Sequence, residues 1–529
     1  MKKNILVATL LAMSVGMGAQ NIYQLEDYSN NDLSGTARYV GMGGAMNALG
    51  ADISLMSSNP AGIGLYRRSD VAGTLSVVSQ ADADKFNNKS GTHMSFDQLG
   101  LVYCMNVDGG STKFVNIGLG YRKHKNFNRL INTGLNFADP EGGPSQTWQM
   151  YDMTDFWGPT IYKDNSTNPP TQYEVYDGKT ASPLANMGYE TCLYDVAAGS
   201  VYNAASNDYH QARWGSIQDY SLSLGFNFSE QFYLGFALGL YNVDYNSYSE
   251  YNEYLLGLNT LNQVYNAGNY RLSNRYDISG TGVDFKAGLI VRPIEDNPFR
   301  IGFSFMTPTY YSLRSRKSAG IVSVLDHGTY DYGYDLDYEY NLYTPWKFNL
   351  SLGTTFFKQL AVGAEYEYSD YSASKITYDD GYDAWGNRDS ERDDAIKAES
   401  EKYLKGVSTF KIGAEWYVDP KLCIRLGYNY VTSPISKSAF YNQFINSISL
   451  DCATTTAYMN PSDINRITVG MGTNFGNFYA DLACMFQNQK ADFYAFSTQQ
   501  GNANNINDVP ATRIKMNQTK VMLTLGYRF

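Results

Sequence analysis

The last twelve residues of the chain, Gln518 to Phe529, read QTKVMLTLGYRF and alternate between polar and apolar side chains. Successive side chains of a β-strand point to opposite sides, so a period of two places every second residue on one face. That face is apolar throughout and carries Val521, Leu523, Leu525, Tyr527 and Phe529. Such a stretch is typical of the closing strand of a transmembrane β-barrel, whose outer surface meets lipid.

The amino terminus predicts export from the cytoplasm. Lys2 and Lys3 precede an apolar run over residues 5–13, and small residues follow it. This order is typical of a secretory signal peptide, which we place at residues 1–19, with cleavage before Gln20. No later stretch reaches the roughly 18 to 20 consecutive apolar residues that a membrane-crossing helix needs. The sequence therefore predicts an exported protein without helical membrane spans.

Composition agrees with a barrel. The chain has 46 Tyr and 48 Gly but only 15 Pro, and Tyr-rich, Gly-rich alternation is the weak sequence signal of barrel strands. The formal net charge is −11, and no basic patch stands out along the sequence. We therefore expect no nucleic-acid partner.

Runs with a period of two, each about as long as a membrane-crossing strand, recur along the chain. There are fourteen: Asp70–Ser79, Ser95–Met105, Phe114–Lys123, Asp219–Phe228, Gln231–Asp244, Thr281–Arg292, Phe299–Thr307, Trp346–Phe357, Gln359–Tyr371, Val407–Tyr417, Lys421–Val431, Ile464–Phe475, Asn477–Phe486 and Gln518–Phe529. Single-chain bacterial barrels have an even number of strands. The predicted fold is all-β, a 14-stranded antiparallel transmembrane β-barrel.

The connections between these runs alternate strictly between short and long. Short periplasmic turns and long outer loops are the rule in such barrels, so the long connections should face away from the cell. Two segments, Tyr241–Tyr254 and Tyr330–Tyr340, keep the period of two beyond the expected membrane band. We interpret them as strands that continue outside the membrane, the second as an extracellular β-arm; the alternative is that both form solvated aromatic loop surface.

Charged and small polar side chains occupy the other face of the strands. They are Ser221, Ser223, Asp284, Lys286, Glu365, Glu367, Lys411, Glu415, Arg425 and Asp481. Charges in mid-strand are tolerated where they face water or each other, so they should line the lumen. An internal lattice of ion pairs is the interpretation we favour over a substrate site.

About fifty residues lie between the signal peptide and the first strand, and one part of them is rich in small residues. That part contains Gly35, Ala37, Gly41, Gly43, Gly44, Ala45 and Ala48. Small side chains allow close packing inside a barrel. We therefore predict three regions: a signal peptide at residues 1–19, an N-terminal hatch, or plug, with short helices at residues 20–69, and the barrel at residues 70–529.

The run SSNPAGIGLYR at residues 57–67 closely resembles the hatch signature of the FadL-type outer-membrane transporters, and RLGYNYVTSPI at residues 425–435 adds to the likeness. Members of that family are fourteen-stranded barrels that import long-chain fatty acids or other hydrophobic compounds. The resemblance implies a path gated by the hatch, with Asn59, Pro60 and Ala61 as its motif. The glycines Gly41, Gly43 and Gly44 precede that motif.

The resemblance also implies a route for the ligand. In the family, outer loops capture it, a site above the hatch holds it, and it leaves sideways through the wall near the third strand. Gly118 and Gly120 would loosen that strand here, because glycine weakens strand pairing. We expect membrane lipid and a hydrophobic small molecule as partners, a monomer, and no cofactor or metal.

Two alternatives stay open. The outer loops are rich in Tyr, Asn and Trp rather than aliphatic residues, so the cargo could be haem, with His124, His210, His327 or a loop Tyr as an iron ligand. The barrel could instead be a scaffold for protein secretion or surface attachment that binds a protein partner and transports nothing. A general porin is disfavoured because the plug would block it.

An enzyme is not expected. The four histidines, which include His93, are predicted to lie in loops or at loop edges. Catalysis needs a base held close to a nucleophile or a metal, and the sequence shows no motif that would place one there.

Overall fold

The computed structural model describes residues 22–81, 83–107, 110–153, 160–164, 171–175, 182–195, 200–259, 261, 263–382, 388–436, 439, 454, 456–497 and 509–529. The predicted signal peptide lies outside these residues. Fourteen antiparallel strands form the barrel: β1 (Asp70–Gln80), β2 (Thr92–Asn106), β3 (Thr112–Asn126), β4 (Asn203–Phe228), β5 (Phe232–Leu258), β6 (Val264–Val291), β7 (Arg300–Met306), β8 (Lys347–Phe356), β9 (Leu360–Asp370), β10 (Gly406–Asp419), β11 (Leu422–Val431), β12 (Ile464–Phe475), β13 (Phe478–Asn488) and β14 (Gln518–Arg528).

The barrel closes between its first and last strands. Gly73 of β1 lies opposite Leu99 of β2 on one side and opposite Leu525 of β14 on the other. Every other strand pairs with the strand before it and the strand after it. The predicted fold class and strand number are therefore confirmed.

Three strands are much longer than the sequence predicted. The strands β4, β5 and β6 have 26, 27 and 28 residues. Their outward face changes from Phe and Leu to Asn, Asp and Ser beyond Leu240, but backbone pairing continues. The apolar face therefore marks the membrane band, whereas the strands end well outside it, as the pattern of Tyr241–Tyr254 predicted.

The predicted β-arm is also present. Strands Tyr310–Leu325 and Gly328–Tyr343 form a hairpin, and the first of them pairs with the outer half of β6 from Gly268 to Val283. The wall of the barrel is therefore tallest on this side.

Helices are few and short among the described residues. They are α1 (Ile22–Ser29), α2 (Ala37–Gly41), α3 (Gln146–Asp152), α4 (Pro183–Glu190) and α5 (Asp394–Tyr403), with 3₁₀ helices at Ile53–Ser57, Pro60–Leu65 and Tyr371–Ala373. Within the described part of the chain, none of the helices is long and apolar enough to cross a bilayer.

The remaining strands are short and belong to the outer connections. They are Arg129–Asn136, Thr160–Asp164, Thr171–Val175, Tyr194–Asp195, Ser200–Val201, Lys375–Tyr382, Arg388–Arg392, Tyr458–Pro461, Lys490–Tyr494 and Thr512–Lys515. Residues 22–66, which we call the N-terminal segment, lie inside the barrel and are almost entirely buried. A large core of buried Tyr, Leu and Met side chains packs above that segment between the outer connections.

Candidate functional site

Glycines of the wall face the N-terminal segment in two rows. One row is Gly225, Gly235 and Gly288, which lie directly opposite one another across β4, β5 and β6. The other is Gly353, Gly363, Gly413 and Gly427, opposite one another across β8 to β11. We call these seven residues the wall glycines.

A Cβ atom at most wall glycines would collide with the N-terminal segment. At Gly235 it would meet the backbone of Pro60, at Gly363 the carbonyl of Ala45, and at Gly413 the carbonyl of Met42. Strand backbone and segment backbone are therefore in direct contact, with no side chain between them. This contact leaves the segment little freedom to shift against the wall.

The predicted residues Gly41, Gly43 and Gly44 lie at the end of α2, where the segment turns along β11 and β12. Gly43 and Gly44 have φ of +63° and +80°, a conformation that favours glycine. A Cβ on Gly43 would also come within 2.9 Å of the Tyr428 backbone nitrogen. The carbonyl of Gly41 accepts a hydrogen bond from the Thr468 hydroxyl at 3.1 Å.

The predicted motif Asn59-Pro60-Ala61 begins the 3₁₀ helix Pro60–Leu65. The Asn59 side chain caps this helix by accepting from the Ala61 nitrogen at 3.2 Å, and its Nδ2 donates to the Asn47 carbonyl at 3.0 Å. Asn59 is fully buried. The motif therefore fastens the last turn of the segment to an earlier one, directly above Gly288 of the wall.

Replacing Asn59 with Ala is expected to destabilise the N-terminal segment by roughly 1–3 kcal/mol, because a helix cap is lost and the Asn47 carbonyl is left unpaired in the interior. Limited proteolysis of the segment, read as the rate of cleavage before Asp70, measures the change. Asn242→Ala on the exposed face of β5 is the matched control. Equal cleavage rates for the two variants would show that the motif adds no stability.

Ion pairs link the lumen face of the strands, as the sequence predicted. Lys286 contacts Asp284 at 2.8 Å and Asp219 at 3.7 Å. Lys411 contacts Glu367 at 3.1 Å and Glu365 at 3.5 Å. Arg425 contacts Glu415 and Asp481, each at 2.6 Å, and Arg38 of the N-terminal segment joins Glu415 at 2.9 Å. The lattice therefore holds strands together and ties the segment to them.

Two cavities lie above the N-terminal segment and meet at Asn30. The inner cavity, between the segment and the wall, is lined by Arg122, Lys347, Lys411 and Arg466 together with Asp32 and Glu367. The outer cavity, around α1, is lined by Lys125, Arg129 and Arg213 together with Glu26 and Asp27. Seven cationic side chains thus face four acidic ones, although the whole chain carries a net charge of −11.

The cavities have little free room. The inner one holds about 80 Å³ and the outer one about 130 Å³, against roughly 300–1,000 Å³ for typical ligand pockets. In the inner cavity, the Nε of Arg122 has no hydrogen-bond partner among the described residues. Burial raises the pKa of Glu26, beside the outer cavity, to about 7, which lowers the negative charge there further.

Glycines also form part of the wall at β2 and β3. Gly100 and Gly120 lie opposite each other there. On the inside, the Met56 side chain covers Gly118 and Gly120, and Ile53 covers Gly100. At Gly118 and Gly120, the predicted lateral-opening residues, only strand backbone therefore separates the N-terminal segment from the outside.

A notch of about 540 Å³ lies outside Gly100 and Gly120, on the surface that faces the membrane. Its lining is almost entirely apolar, and includes Leu99, Leu101, Leu119, Tyr220, Leu222 and Leu240. The notch and the Met56 side chain thus lie on opposite sides of Gly120.

The histidines are placed differently from the prediction. His93, His124 and His210 lie in strands β2, β3 and β4, and His327 lies at the tip of the β-arm. His124 is buried against Tyr241, and His210 stacks on Phe86. His93 and His124 thus lie near the ends of their strands, whereas the assignment of His210 to a loop is wrong, because the strands extend farther than their apolar faces. The haem candidates therefore lie apart: His124 is in the interior, His210 is beside Phe86 and His327 is at the tip of the β-arm.

Sequence reasoning missed the cations Arg122, Lys347 and Arg466. Each lies on the inward face of its strand and is buried, so the parity of the strand pattern contained the signal. The wall glycines carried no such signal, because glycine occurs on both faces of these strands.

Part of the chain matches a known protein family, and the whole chain resembles solved structures. Residues 194–440 match the model of the family described as outer membrane protein transport protein (OMPP1/FadL/TodX). The crystal structure of a Pseudomonas aeruginosa FadL homologue shares the fold: it is similar over 94% of this chain and 99% of its own, at 12% identity and a TM-score of 0.52. The family match thus covers 247 of the 529 residues, and the barrel as a whole shares the FadL-type fold.

Two further structures resemble this chain more distantly. They are the toluene transporters TbuX of Ralstonia pickettii and TodX of P. putida, each 14% identical over 94% of this chain and 99% of theirs, with TM-scores of 0.45 and 0.46. No curated protein sequence matches the chain.

The family match over residues 194–440 and the shared fold together indicate the location and the general role. FadL/TodX-type barrels are proteins of the Gram-negative outer membrane, so the apolar outer face of this barrel meets the lipid of that membrane. The family consists of channels for hydrophobic compounds, not enzymes. The predicted location and non-enzymatic role are confirmed.

Proposed function

We propose that this channel passively admits a hydrophobic compound that carries an anionic group, such as a long-chain fatty acid. The excess of cations along the two cavities supports the proposal. An anion inside a protein is strongly stabilised by cations a few ångströms away because the local dielectric constant is low. Because the whole chain carries a net charge of −11, this local excess of positive charge does not follow from the composition of the protein.

Arg122 is the residue to which we assign first contact with the anionic group. Lys411 pairs with Glu365 and Glu367, and Lys347 donates to Ser29 and Asn31 of the N-terminal segment. The guanidinium of Arg122 instead lines the inner cavity with its Nε unpaired among the described residues. An arginine fork suits a carboxylate, which can accept two parallel hydrogen bonds.

The proposal separates this protein from the two toluene transporters, whose names indicate a neutral aromatic cargo. A neutral hydrocarbon gains nothing from a lining of arginine and lysine, and burying such cations without a counter-charge is costly. A long-chain carboxylate gains binding free energy at both ends. Its head group is stabilised by the cations, and its chain leaves water, at about 25 cal/mol per Å² of apolar surface buried.

Residues 20–69 are, in this proposal, a hatch whose lower part stays seated while local movement opens the path. Contacts with the wall glycines hold residues 41–64, so movement falls on Asn30–Leu33, which line the inner cavity. The small cavities are consistent with a closed state. Asn59, Pro60 and Ala61 then act as the fixed end of the hatch.

The exit in this proposal is sideways, through the wall at Gly118 and Gly120 into the notch. Met56→Ala removes the side chain that covers these glycines and should raise the rate of uptake of radiolabelled oleate by cells. Met46→Ala, elsewhere in the same segment, is the control for loss of buried methionine volume. Equal rates for both variants and the unaltered channel would exclude Met56 as the gate.

The test of the proposed cargo uses two ligands that differ only in the head group, oleate and oleyl alcohol. The purified channel should bind oleate more tightly, and Arg122→Gln should reduce this preference roughly tenfold or more, since a charge-assisted hydrogen bond contributes about 1.5–3 kcal/mol. Isothermal titration in a mild detergent measures both affinities. Arg275→Gln, on the outer surface of β6, should leave both unchanged.

Other outcomes point to other functions. Equal binding of both ligands, with no effect of Arg122→Gln, would contradict an anionic cargo. Co-purified haem would indicate a haem receptor, and a stoichiometric protein partner without any lipid would indicate a scaffold. Large unselective conductance in planar bilayers would indicate a porin.

A further inference from the structure

The outer cavity contains three cations on neighbouring strands of the wall. Arg129, at the start of the short strand Arg129–Asn136, lies directly opposite Arg213 of β4, and Lys125 of β3 lines the same cavity. Like charges directly opposite on paired strands repel each other and weaken the pairing. We call Lys125, Arg129 and Arg213 the outer cations. An anion held between them would offset the repulsion.

The chain itself supplies such an anion. One carboxylate oxygen of Asp27, in α1, lies 3.1 Å from Nη1 of Arg213, and the other lies 4.0 Å from Nζ of Lys125. Burial, followed by the charge of Arg213, lowers the pKa of Arg129. Among the described residues, Arg129 has no carboxylate in ion-pair contact. One carboxylate thus pairs with two of the three outer cations.

The local chemistry of α1 does not account for this carboxylate. The helix buries Ile22, Leu25 and Tyr28 in the apolar core of the outer region, whereas Asp27 lines the cavity. Carboxylates are disfavoured in the last turn of a helix, because the terminal carbonyls carry partial negative charge. Glu26 and Asp27 nevertheless both lie in the last turn of α1. The outer cations therefore supply the favourable contact for Asp27.

We propose that the outer cations form a second carboxylate-binding site, which Asp27 occupies while the channel is closed. This inference rests on the proposed function, because its ligand is the same class of compound, a long-chain carboxylate. The carboxylate of a fatty acid offers the outer cations the same two oxygens that Asp27 offers. The free volume of about 130 Å³ is too small for a long chain, so α1 leaves before the ligand enters. The apolar space that Ile22, Leu25 and Tyr28 vacate then takes the chain.

Asp27 makes the opening of this site selective for anions. Exchange of one carboxylate for another keeps the outer cations paired. A neutral compound that displaced α1 would leave the same cations buried without a partner, which is costly. Arg122 receives the anionic group first, because its Nε has no partner among the described residues. The outer cations become available only when Asp27 leaves them.

Isothermal titration of the purified full-length channel with oleate and oleyl alcohol, in a mild detergent, tests the proposal. Asp27→Asn keeps the size of the side chain but removes its charge. Introduced into the Arg122→Gln channel, in which the first site is lost, it should restore a preference for oleate of roughly tenfold or more. Asp331→Asn, exposed on the β-arm, changes the net charge equally and should restore nothing. Adding Arg213→Gln to the restored channel should abolish the preference again.

Hydrogen exchange gives a second measurement, which needs no variant. In the unaltered channel, oleate at concentrations well above those that saturate the first site should speed up exchange of the amides in α1, because it displaces Asp27 and frees the helix. Oleyl alcohol at the same concentrations should leave this exchange unchanged. Protection of α1 that survives such concentrations of oleate would overturn the proposal.

The titrations distinguish failure of this inference from failure of the proposed function. If the preference for oleate depends on Arg122 but Asp27→Asn restores nothing, the proposed function stands and the second site is wrong. Equal tightening of oleate and oleyl alcohol by Asp27→Asn would also overturn the second site, because Asp27 would then only hold α1 in place. Equal binding of both ligands by the unaltered channel and by every variant would contradict both proposals.

Discussion

Replacing Gly363 and Gly413 with alanine is expected to unseat the N-terminal segment and open the barrel. Each added methyl group would collide with a backbone carbonyl of the segment, that of Ala45 or that of Met42. Backbone atoms cannot rotate away as a side-chain end can, so either the segment or the strand must move. Overpacking of this kind costs about 1–3 kcal/mol at each site.

Conductance in planar bilayers measures the result. The unaltered channel should conduct little because the segment fills the lumen, whereas the double variant should show large open events. Gly333→Ala on the β-arm is the matched control, since a Cβ there has no neighbour closer than 3.7 Å. That variant should remain closed, with a stability equal to or slightly above that of the unaltered channel.

A double variant that folds, stays closed and unfolds at the same urea concentration would contradict the role given to the wall glycines. Failure to fold is distinguished by the loss of heat-resistant migration in electrophoresis. If the double variant does not fold, the conductance of each single variant is measured instead, because a single variant carries half of the expected strain.

The second large effect is expected at Glu253, in the packed outer region of the barrel. Its carboxylate accepts from the Ser145 hydroxyl, from the Gln146 nitrogen at 3.1 Å and from the Tyr251 hydroxyl. Tyr270 donates to Gln146 at 3.0 Å in the same cluster. The cluster joins the start of α3 to β5 and β6. It therefore holds α3, which we call the outer cap, over the lumen.

Burial raises the pKa of Glu253 from 4.5 to about 7, against the lowering effect of its hydrogen bonds. A folded-state pKa above the unfolded value means that the cap binds a proton more tightly when closed. Its stability is therefore greatest below pH 4.5 and falls as the pH rises through 7. The full change amounts to roughly 3 kcal/mol, because each pKa unit corresponds to 1.36 kcal/mol.

Hydrogen exchange of the amides in α3, compared between pH 5.5 and pH 8 after correction for intrinsic rates, measures this change. Glu253→Gln, which stays neutral, should make protection independent of pH in this range. Glu250→Gln on the outward face of β5 is the control, and its cap should respond to pH as the unaltered cap does. A pH response that survives in Glu253→Gln would assign the titration to another group.

The strand ends show where sequence reasoning reached its limit. The membrane-facing parts of all fourteen strands followed from the period of two, but β4 begins at Asn203 rather than Asp219. The apolar face ends where lipid ends, whereas pairing with β5 continues among polar residues. His210 was assigned to a loop for the same reason.

The sequence alone determined the barrel, its strand number and the presence of a segment rich in small residues before it. These follow from local periodicity, since lipid on one side and a lumen on the other impose alternation on every strand. The run at residues 57–67 was visible for the same reason, as a local pattern.

Only the tertiary structure decided which of the 48 glycines meet the segment, and that Arg122, Lys347 and Arg466 converge on one cavity. Both depend on the register between strands and on how deep the segment sits. These residues come from β3, β8 and β12, far apart in the chain. Their meeting is set by the closure of the barrel, which no local pattern contains.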